Sequence, residues 1–364
     1  MSAVCLNCKR LYPASGTPYK CPVCGGLFGL AGPLEFDPAL LETSQPGIWR
    51  YRHTFGLAAG AAPLSLGEGG TPLTWVRAFK RKLAFKQEYA NPTGSFKDRG
   101  TAVLLAFLRS RGVSAAVEDS SGNAGASFAA YAAQAGMRAE VYVPAAASGP
   151  KRRQIETYGA LLHPIPGTRS DVTLAALKAV DAGMAYASHA YLPFNLPGYA
   201  TAAYEIYEQL GKAPSAVLTP AGQGGLFLGL WHGFAALKRA GLIKEVPTLV
   251  GVQARACAPL WVMANVGFSG MGFVTEGPTL AEGVRVRFPL RAGDVRQVID
   301  GGQGQFVAVD ETDILRGRDE LAHRGLYVEL TSAIVWSALE QVHRKFPDPI
   351  VVMLTGAGFK SEVE

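Results

Sequence analysis

The sequence predicts an α/β protein with two doubly wound α/β domains, a cleft between them, and a small N-terminal four-cysteine ribbon. Three observations carry this expectation. Helix and strand signals alternate from residue 101 to a last apolar run at 350–354. The strand segments are continuous apolar runs, the pattern of parallel strands covered on both faces. Four of the five cysteines fall within the first 24 residues.

In chain order, the first element is the cysteine module. Cys5-Leu6-Asn7-Cys8 and Cys21-Pro22-Val23-Cys24 are two CxxC pairs, and such pairs can bring four thiolates to one tetrahedral zinc. The Pro and Gly residues around the second pair let the backbone turn around the ion. A module of this size buries too little apolar surface to fold unaided, so a metal staple is expected. Disulfides are the competing reading, disfavoured where the N-terminus lacks a charged-then-apolar signal segment. The ribbon is expected to be structural, and Cys257 to be a small packed residue.

Helices are expected over 101–109, 124–136, 151–158, 171–181, 201–210, 226–239, 312–324 and 332–344. Strands are expected over 115–118, 139–144, 161–165, 185–187, 216–219, 248–253 and 350–354. No internal repeat is present. A length of 364 residues suffices for two ordinary domains plus the module, and 48% hydrophobic residues supply a sizeable core. The 43 glycines suit tight loops rather than disorder, because apolar content is normal. The net charge of +6 is scattered apart from clusters at 77–86 and 151–153. Such a mild excess fits anionic small ligands, and no long basic tract supports nucleic-acid binding. The most apolar stretch, 224–237, is too short to span a bilayer and is interrupted by His232. A cytoplasmic protein without a membrane or nucleic-acid partner is expected.

Four segments carry candidate chemistry. Asn91-Pro92-Thr93-Gly94-Ser95-Phe96-Lys97-Asp98-Arg99-Gly100 puts a lysine at a turn-to-helix junction, with Ser95 as a candidate N-cap. The positive end of a helix disfavours an ammonium there and helps free the amine as a nucleophile. A surface lysine paired with Asp98 is the bland alternative. Asp119-Ser120-Ser121-Gly122-Asn123-Ala124-Gly125 joins a strand to a helix and offers hydroxyls, a carboxamide and backbone N–H groups, suited to an anion or to plain capping. Thr219-Pro220-Ala221-Gly222-Gln223-Gly224-Gly225-Leu226 repeats that geometry with glycines that allow close approach to an anion. Leu354-Thr355-Gly356-Ala357-Gly358-Phe359-Lys360 follows the last strand and presents one hydroxyl, or is simply a glycine-rich turn.

Taken together, these segments resemble the fold type II pyridoxal-phosphate (PLP) enzymes, and within them the threonine synthase branch, over most of the chain. The resemblance implies a large domain (33–90 and 189–364) with a smaller one (91–188) inserted, behind a ribbon at 1–32. It implies that Lys97 carries PLP as a Schiff base beside Phe96 and that Asn123 faces the cofactor's phenolic oxygen. Gly222, Gln223, Gly224, Gly225 and Leu226 would cradle its phosphate, and Thr355 would meet its pyridine nitrogen. Ser120, Ser121, Gly122, Asn123 and Ala124 would grip the substrate carboxylate. A hydroxyl partner leaves the pyridine largely unprotonated, which suits elimination and replacement better than transamination. Residues 276–283 and 329–332 resemble cleft-lining segments, with Thr331 as an ordinary N-cap explaining the latter almost as well. His189 and Tyr199 are further cleft candidates or satisfied packing.

The implied reaction is that of threonine synthase, O-phosphohomoserine and water giving threonine and phosphate, within threonine biosynthesis. Homodimers are frequent in the family. The sequence departs from it where a phosphate would be held. Ala124 stands where the family has threonine, and Asn195 where it has a phosphate-binding arginine; Ala357 and Phe359 replace His and Leu. A serine/threonine dehydratase or another β-elimination or replacement enzyme is therefore the alternative. A non-catalytic binding protein that uses the ribbon is the remote one.

Overall fold

The computed structural model describes residues 2–147 and 149–361. The chain opens with an antiparallel ribbon, β1 (Ala3–Cys5) against β2 (Phe28–Leu30), with Cys5 opposite Phe28. The ribbon is docked. Tyr12 packs edge-on against Phe28 and Phe194, at centroid distances of 4.6 and 4.9 Å. Arg111 donates to the carbonyls of Pro13 and Ala14, and buried Arg291 donates to those of Phe28 and Tyr191.

A hairpin follows, β3 (Leu73–Ala78) and β4 (Arg81–Gln87). Its two turn residues, Phe79 and Lys80, both have positive φ (51° and 60°), a turn whose twist suits a two-residue connection. This is the 77–86 basic cluster of the sequence. Its charges hide a strand whose residues 83–86 are all buried, Lys86 included.

The remaining elements alternate. They are α1 (Lys97–Ser110), β5 (Ala115–Glu118), α2 (Asn123–Gln134), β6 (Arg138–Pro144), α3 (Pro150–Thr157), β7 (Leu161–Ile165), α4 (Arg169–Asp181) and β8 (Ala185–Tyr186). Then come α5 (Leu196–Leu210), β9 (Ala216–Pro220), α6 (Gly225–Arg239), β10 (Thr248–Ala254), α7 (Pro259–Asn265), α8 (Ala292–Asp300), β11 (Gly304–Val309), α9 (Glu311–Ala322), α10 (Leu330–Val342) and β12 (Ile350–Leu354). Helix α5 starts at Leu196 rather than at 201, because Pro197 lies in its first turn, where a missing N–H costs nothing. The hairpin, α7, α8 and β11 lie outside the elements expected from sequence.

Strands β5–β8 form a four-stranded parallel sheet in the order β7-β6-β5-β8. The larger sheet has the order β11-β10-β9-β12-β4-β3, parallel except for the β3–β4 edge pair. Both faces of its centre are dry. Ile350, Val352 and Leu354 of β12 face one core with α10, while Val351 and Met353 face the other. Continuous apolar strands are therefore required here.

Helix α1 is wrapped by its neighbours, and every residue from Asp98 to Leu108 is buried. The approach is close enough to dictate glycine. A Cβ on Gly100 would lie 2.5 Å from the Tyr199 ring, and one on Gly198 would lie 2.1 Å from the Arg99 carbonyl.

Candidate active site

Lys97 is the first residue of α1, half-buried, with its Nζ 4.8 Å from the centre of the Phe96 ring. Burial pushes its pKa down to about 8, against the opposing pull of Glu118 and Glu329. The amine is therefore substantially neutral in mildly alkaline conditions. Asp98 is not its partner. The Asp98 carboxylate accepts from Thr93 N–H (2.7 Å), the Thr93 hydroxyl (2.6 Å) and the Ser127 hydroxyl (2.7 Å), which ties the loop before Lys97 to α2. Ser95 does not cap α1; its hydroxyl is buried without a partner.

Backbone contacts bring the end of β12 to Lys97. Phe96 N–H donates to the Thr355 carbonyl at 3.0 Å, Ser95 bridges Gly356, and Ala357 N–H donates to the Gly94 carbonyl at 3.0 Å. The Thr355 hydroxyl is 2% exposed and has no partner. Phe359 stays exposed. Lys360 folds back to donate to the Thr93 carbonyl at 2.6 Å, and burial brings its pKa down to about 8.

The loop after β5 supplies the small sheet's contribution. Ser120 Oγ accepts from Gly122 N–H (3.2 Å), and a Cβ on Gly125 would sit 1.9 Å from the Ser120 carbonyl. Ser121 and Gly122 are half-buried, and Ala124 is buried. Asn123 opens α2 and donates Nδ2 to Glu329 Oε1 at 2.8 Å across the cleft, leaving its Oδ1 buried and unpartnered. Lys151 reaches the other oxygen of Glu329 at 2.9 Å. Thr331 is not a cap; its hydroxyl accepts from Gly283 N–H at 2.9 Å, and α10 starts one residue before it.

The loop after β9 faces these from the large sheet. Gly224, at φ 85°, caps α6 in the left-handed conformation, and Gly225 begins the helix. Among the described residues, the N–H groups of Gly222, Gln223, Gly224 and Gly225 find no acceptor. A Cβ on Gly222 would come within 2.8 Å of the Gly283 carbonyl, and Gln223 Oε1 accepts from Leu290 N–H. A side chain at Gly225 would meet the Tyr199 ring at 3.4 Å; the same ring lies 5.2 Å from Phe96, centre to centre. One aromatic ring thus joins the glycine loop to the lysine loop. Tyr199 is packing.

The residues fit PLP: an amine held near neutrality, unpaired N–H groups at a helix start for an anion, and an orphaned buried hydroxyl. Sequence reasoning missed what lies beneath. Arg99 is fully buried and makes paired hydrogen bonds to Glu88 (2.6 and 2.8 Å) and to Glu205 (2.7 Å each). Lys86 donates to Glu205 (2.7 Å), the Thr71 carbonyl (2.7 Å) and Gln209 (3.0 Å). A four-charge network, neutral overall, anchors the turn that precedes Lys97. The basic cluster and the motif's own arginine were the available signals.

Comparisons with known proteins show the family and the fold. The family model described as pyridoxal-phosphate dependent enzyme matches residues 64–356. The chain belongs to this family. It is 30% identical to a threonine synthase of Methanocaldococcus jannaschii, over 98% of this chain and 92% of that one. The crystal structure of a T.th. threonine deaminase superposes with a TM-score of 0.67 at 25% identity, over 81% of this chain and 94% of the other. A fungal L-serine ammonia-lyase from Rhizomucor miehei superposes with a TM-score of 0.70, over 82% and 96%, and its 20% identity bears on the fold alone. The architecture is that of the fold type II PLP enzymes.

At the far end of the chain, the sulfurs of Cys5, Cys8, Cys21 and Cys24 lie within 4.8 Å of one another, with Cys5–Cys24 at 3.5 Å and Cys8–Cys21 at 3.6 Å. Four thiolates about 2.3 Å from one zinc would be spaced about 3.8 Å apart, so the cluster fits a closed tetrahedral site. Cys257 is buried and packed. Among the described residues, no helix is long and apolar enough to cross a membrane.

Proposed function

We propose that this protein is a PLP-dependent amino-acid lyase of the threonine synthase type, with Lys97 as the amine that holds the cofactor as a Schiff base. The observation that carries the reading is Lys97 itself: a helix-start amine with its pKa brought down to about 8, flanked by unpaired N–H groups on one side and an orphaned hydroxyl on the other. Bound PLP supplies an aldehyde and a conjugated ring that stabilises negative charge at the α carbon of an amino acid.

The chain's residues do the rest. Lys97 Nζ, neutral when freed, takes the proton from the α carbon and returns it. The N–H groups of residues 222–226 would hold the phosphate, and the Thr355 hydroxyl would meet the ring nitrogen without protonating it. Residues 120–124 hold the substrate carboxylate at the start of α2. Phe96 and Tyr199 fix the lysine loop. The segments 1–32, 33–90 with 189–364, and 91–188 act as ribbon, large domain and inserted domain. We read the ribbon as a zinc site and the protein as a cytoplasmic homodimer.

O-phosphohomoserine, as for the relatives named threonine synthase, is the first substrate to test. A hydroxy amino acid is the second reading. It is favoured by Ala124 and Asn195, both buried and neither able to bind a phosphate dianion as a cation would. Purified protein with PLP should absorb visible light, and borohydride should leave a pyridoxyl adduct on Lys97 by mass. Lys97→Ala should lose that adduct and about 10³-fold or more in kcat. A colourless protein that ignores added PLP overturns the reading. For the ribbon, metal analysis should give one zinc per chain, and chelation should lower the melting temperature. A metal-free protein of unchanged stability overturns that part.

A further inference from the structure

The carboxyl end of β5 carries a second cluster that the scheme above does not use. Glu118 is the last residue of the strand and is 1% exposed. Its Oε1 lies 2.8 Å from His189 Nδ1, and its Oε2 is buried with no partner. Both residues are close enough to Lys97 for the lysine's charge to act on them. His189 begins the segment that leads to Asn195, whose Nδ2 donates to the His189 carbonyl at 2.7 Å and whose Oδ1 has no hydrogen bond. Glu118 Oε2 and Asn195 Oδ1 are thus two buried oxygens without a hydrogen bond on the segments joined through His189.

Arg169, Lys151 and Lys360 already have partners. Arg169 pairs with Asp119 at 2.8 Å, Lys151 with Glu329 at 2.9 Å, and Lys360 with the Thr93 carbonyl. A phosphate dianion here would lie beside a buried carboxyl group, and Arg169, whose charge reaches both Glu118 and His189, is already held by Asp119. A hydroxyl or an ammonium would instead satisfy an oxygen that otherwise stays buried and unmet. Burial raises the Glu118 pKa well above the carboxylate range, with Asp119 adding to the effect, and burial likewise lowers that of His189.

We propose that Glu118 and His189, with Asn195, form the side-chain specificity pocket, selecting an unphosphorylated amino acid whose side chain ends in a hydrogen-bond donor, a hydroxyl or an ammonium. This rests on the PLP reading of Lys97. Glu118 and His189 are specificity residues at the substrate's far end, and Asn195 fixes the backbone that carries His189.

The test uses the PLP-loaded protein, with the borohydride adduct on Lys97 recorded first. The holoenzyme is titrated with α-methylserine and with its O-phosphate ester; both lack the α proton and so bind without elimination. Change in the visible spectrum reads binding. α-Methylserine is expected to bind about 100-fold more tightly than the ester. In turnover, serine, threonine or 2,3-diaminopropionate should exceed O-phosphohomoserine in kcat/KM by about the same factor, and comparing them separates hydroxyl from ammonium. Glu118→Gln and His189→Gln should each shrink the binding ratio about tenfold while the Lys97 adduct still forms. Protein that forms no adduct overturns the cofactor reading and this one together. Loaded enzyme that prefers the phosphate ester, that responds to neither ligand, or whose preference is unmoved in both variants overturns the pocket alone.

Discussion

Two sets of buried polar groups lie around Lys97, each drawn from distant parts of the chain, and they differ in one respect. Beneath the lysine, Arg99, Lys86, Glu88 and Glu205 spend their donors and acceptors on one another and on Thr71, Thr201 and Gln209. Around the lysine, Ser95, Glu118, Asn123, Asn195 and Thr355 each keep a buried oxygen without a partner. Both sets consist of residues that a core normally excludes. The first is closed and serves as foundation. The second is open, and an unmet buried oxygen costs free energy until a ligand meets it.

The largest expected effect comes from breaking the closed set. Arg99→Leu leaves Glu88 buried without its cation and Glu205 with Lys86 alone, and should cost about 3–5 kcal/mol of stability, read from urea unfolding. If the loss is below about 1 kcal/mol, the network is not the foundation described here. Acid tests the same set. Burial alone would raise the Glu205 carboxyl, but Arg99 and Lys86 more than reverse this and hold it well below the usual range. A depressed carboxylate stabilises the fold above its unfolded pKa and loses that contribution as pH falls. Stability should therefore begin to fall below about pH 4–5 in the wild type, with a shallower slope in Glu205→Gln.

A smaller effect sharpens the contrast at Lys97. With the amine at about 8, uptake of PLP by cofactor-free protein should speed up about tenfold per pH unit as pH rises towards that value, and then level off. An ordinary lysine would keep gaining until about pH 10.4. The smallest effect belongs to the open set. Thr355→Val removes an oxygen that has no partner in the fold, so stability should change by less than about 1 kcal/mol. PLP affinity should nonetheless fall, by about tenfold for one lost hydrogen bond. Equilibrium unfolding and a PLP titration of the same variant read the two together; a large stability loss would put Thr355 in the closed set.

Much of the site was legible in the residues because its chemistry is local. Lys97 at a turn-to-helix junction, the glycines at 222–225 and the hydroxyl at Thr355 each declare themselves within ten residues of chain. Ser95 and Thr331 were misread as candidate caps for the same reason. A hydroxyl just before a helix looks alike in sequence whether it bonds the helix, as a cap does, or points elsewhere. The β3–β4 hairpin was hidden because its charged residues are split between water, at Arg77 and Lys82, and a buried carboxylate, at Lys86, which breaks the apolar signal. Glu118 was passed over because a single acidic residue at a strand end has no pattern around it.

The sequence alone determined the alternation of strands and helices, the two CxxC pairs and the place of Lys97 at a turn-to-helix junction, since all follow from spacing and side-chain chemistry along a short stretch. Only the tertiary structure decided which polar residues are satisfied and which are waiting. Partners such as Arg99 and Glu205, or Asn123 and Glu329, are separated by 106 and 206 positions along the chain, and no local period connects them. Hydrogen bonding depends on distance in space, and long-range folding sets that distance.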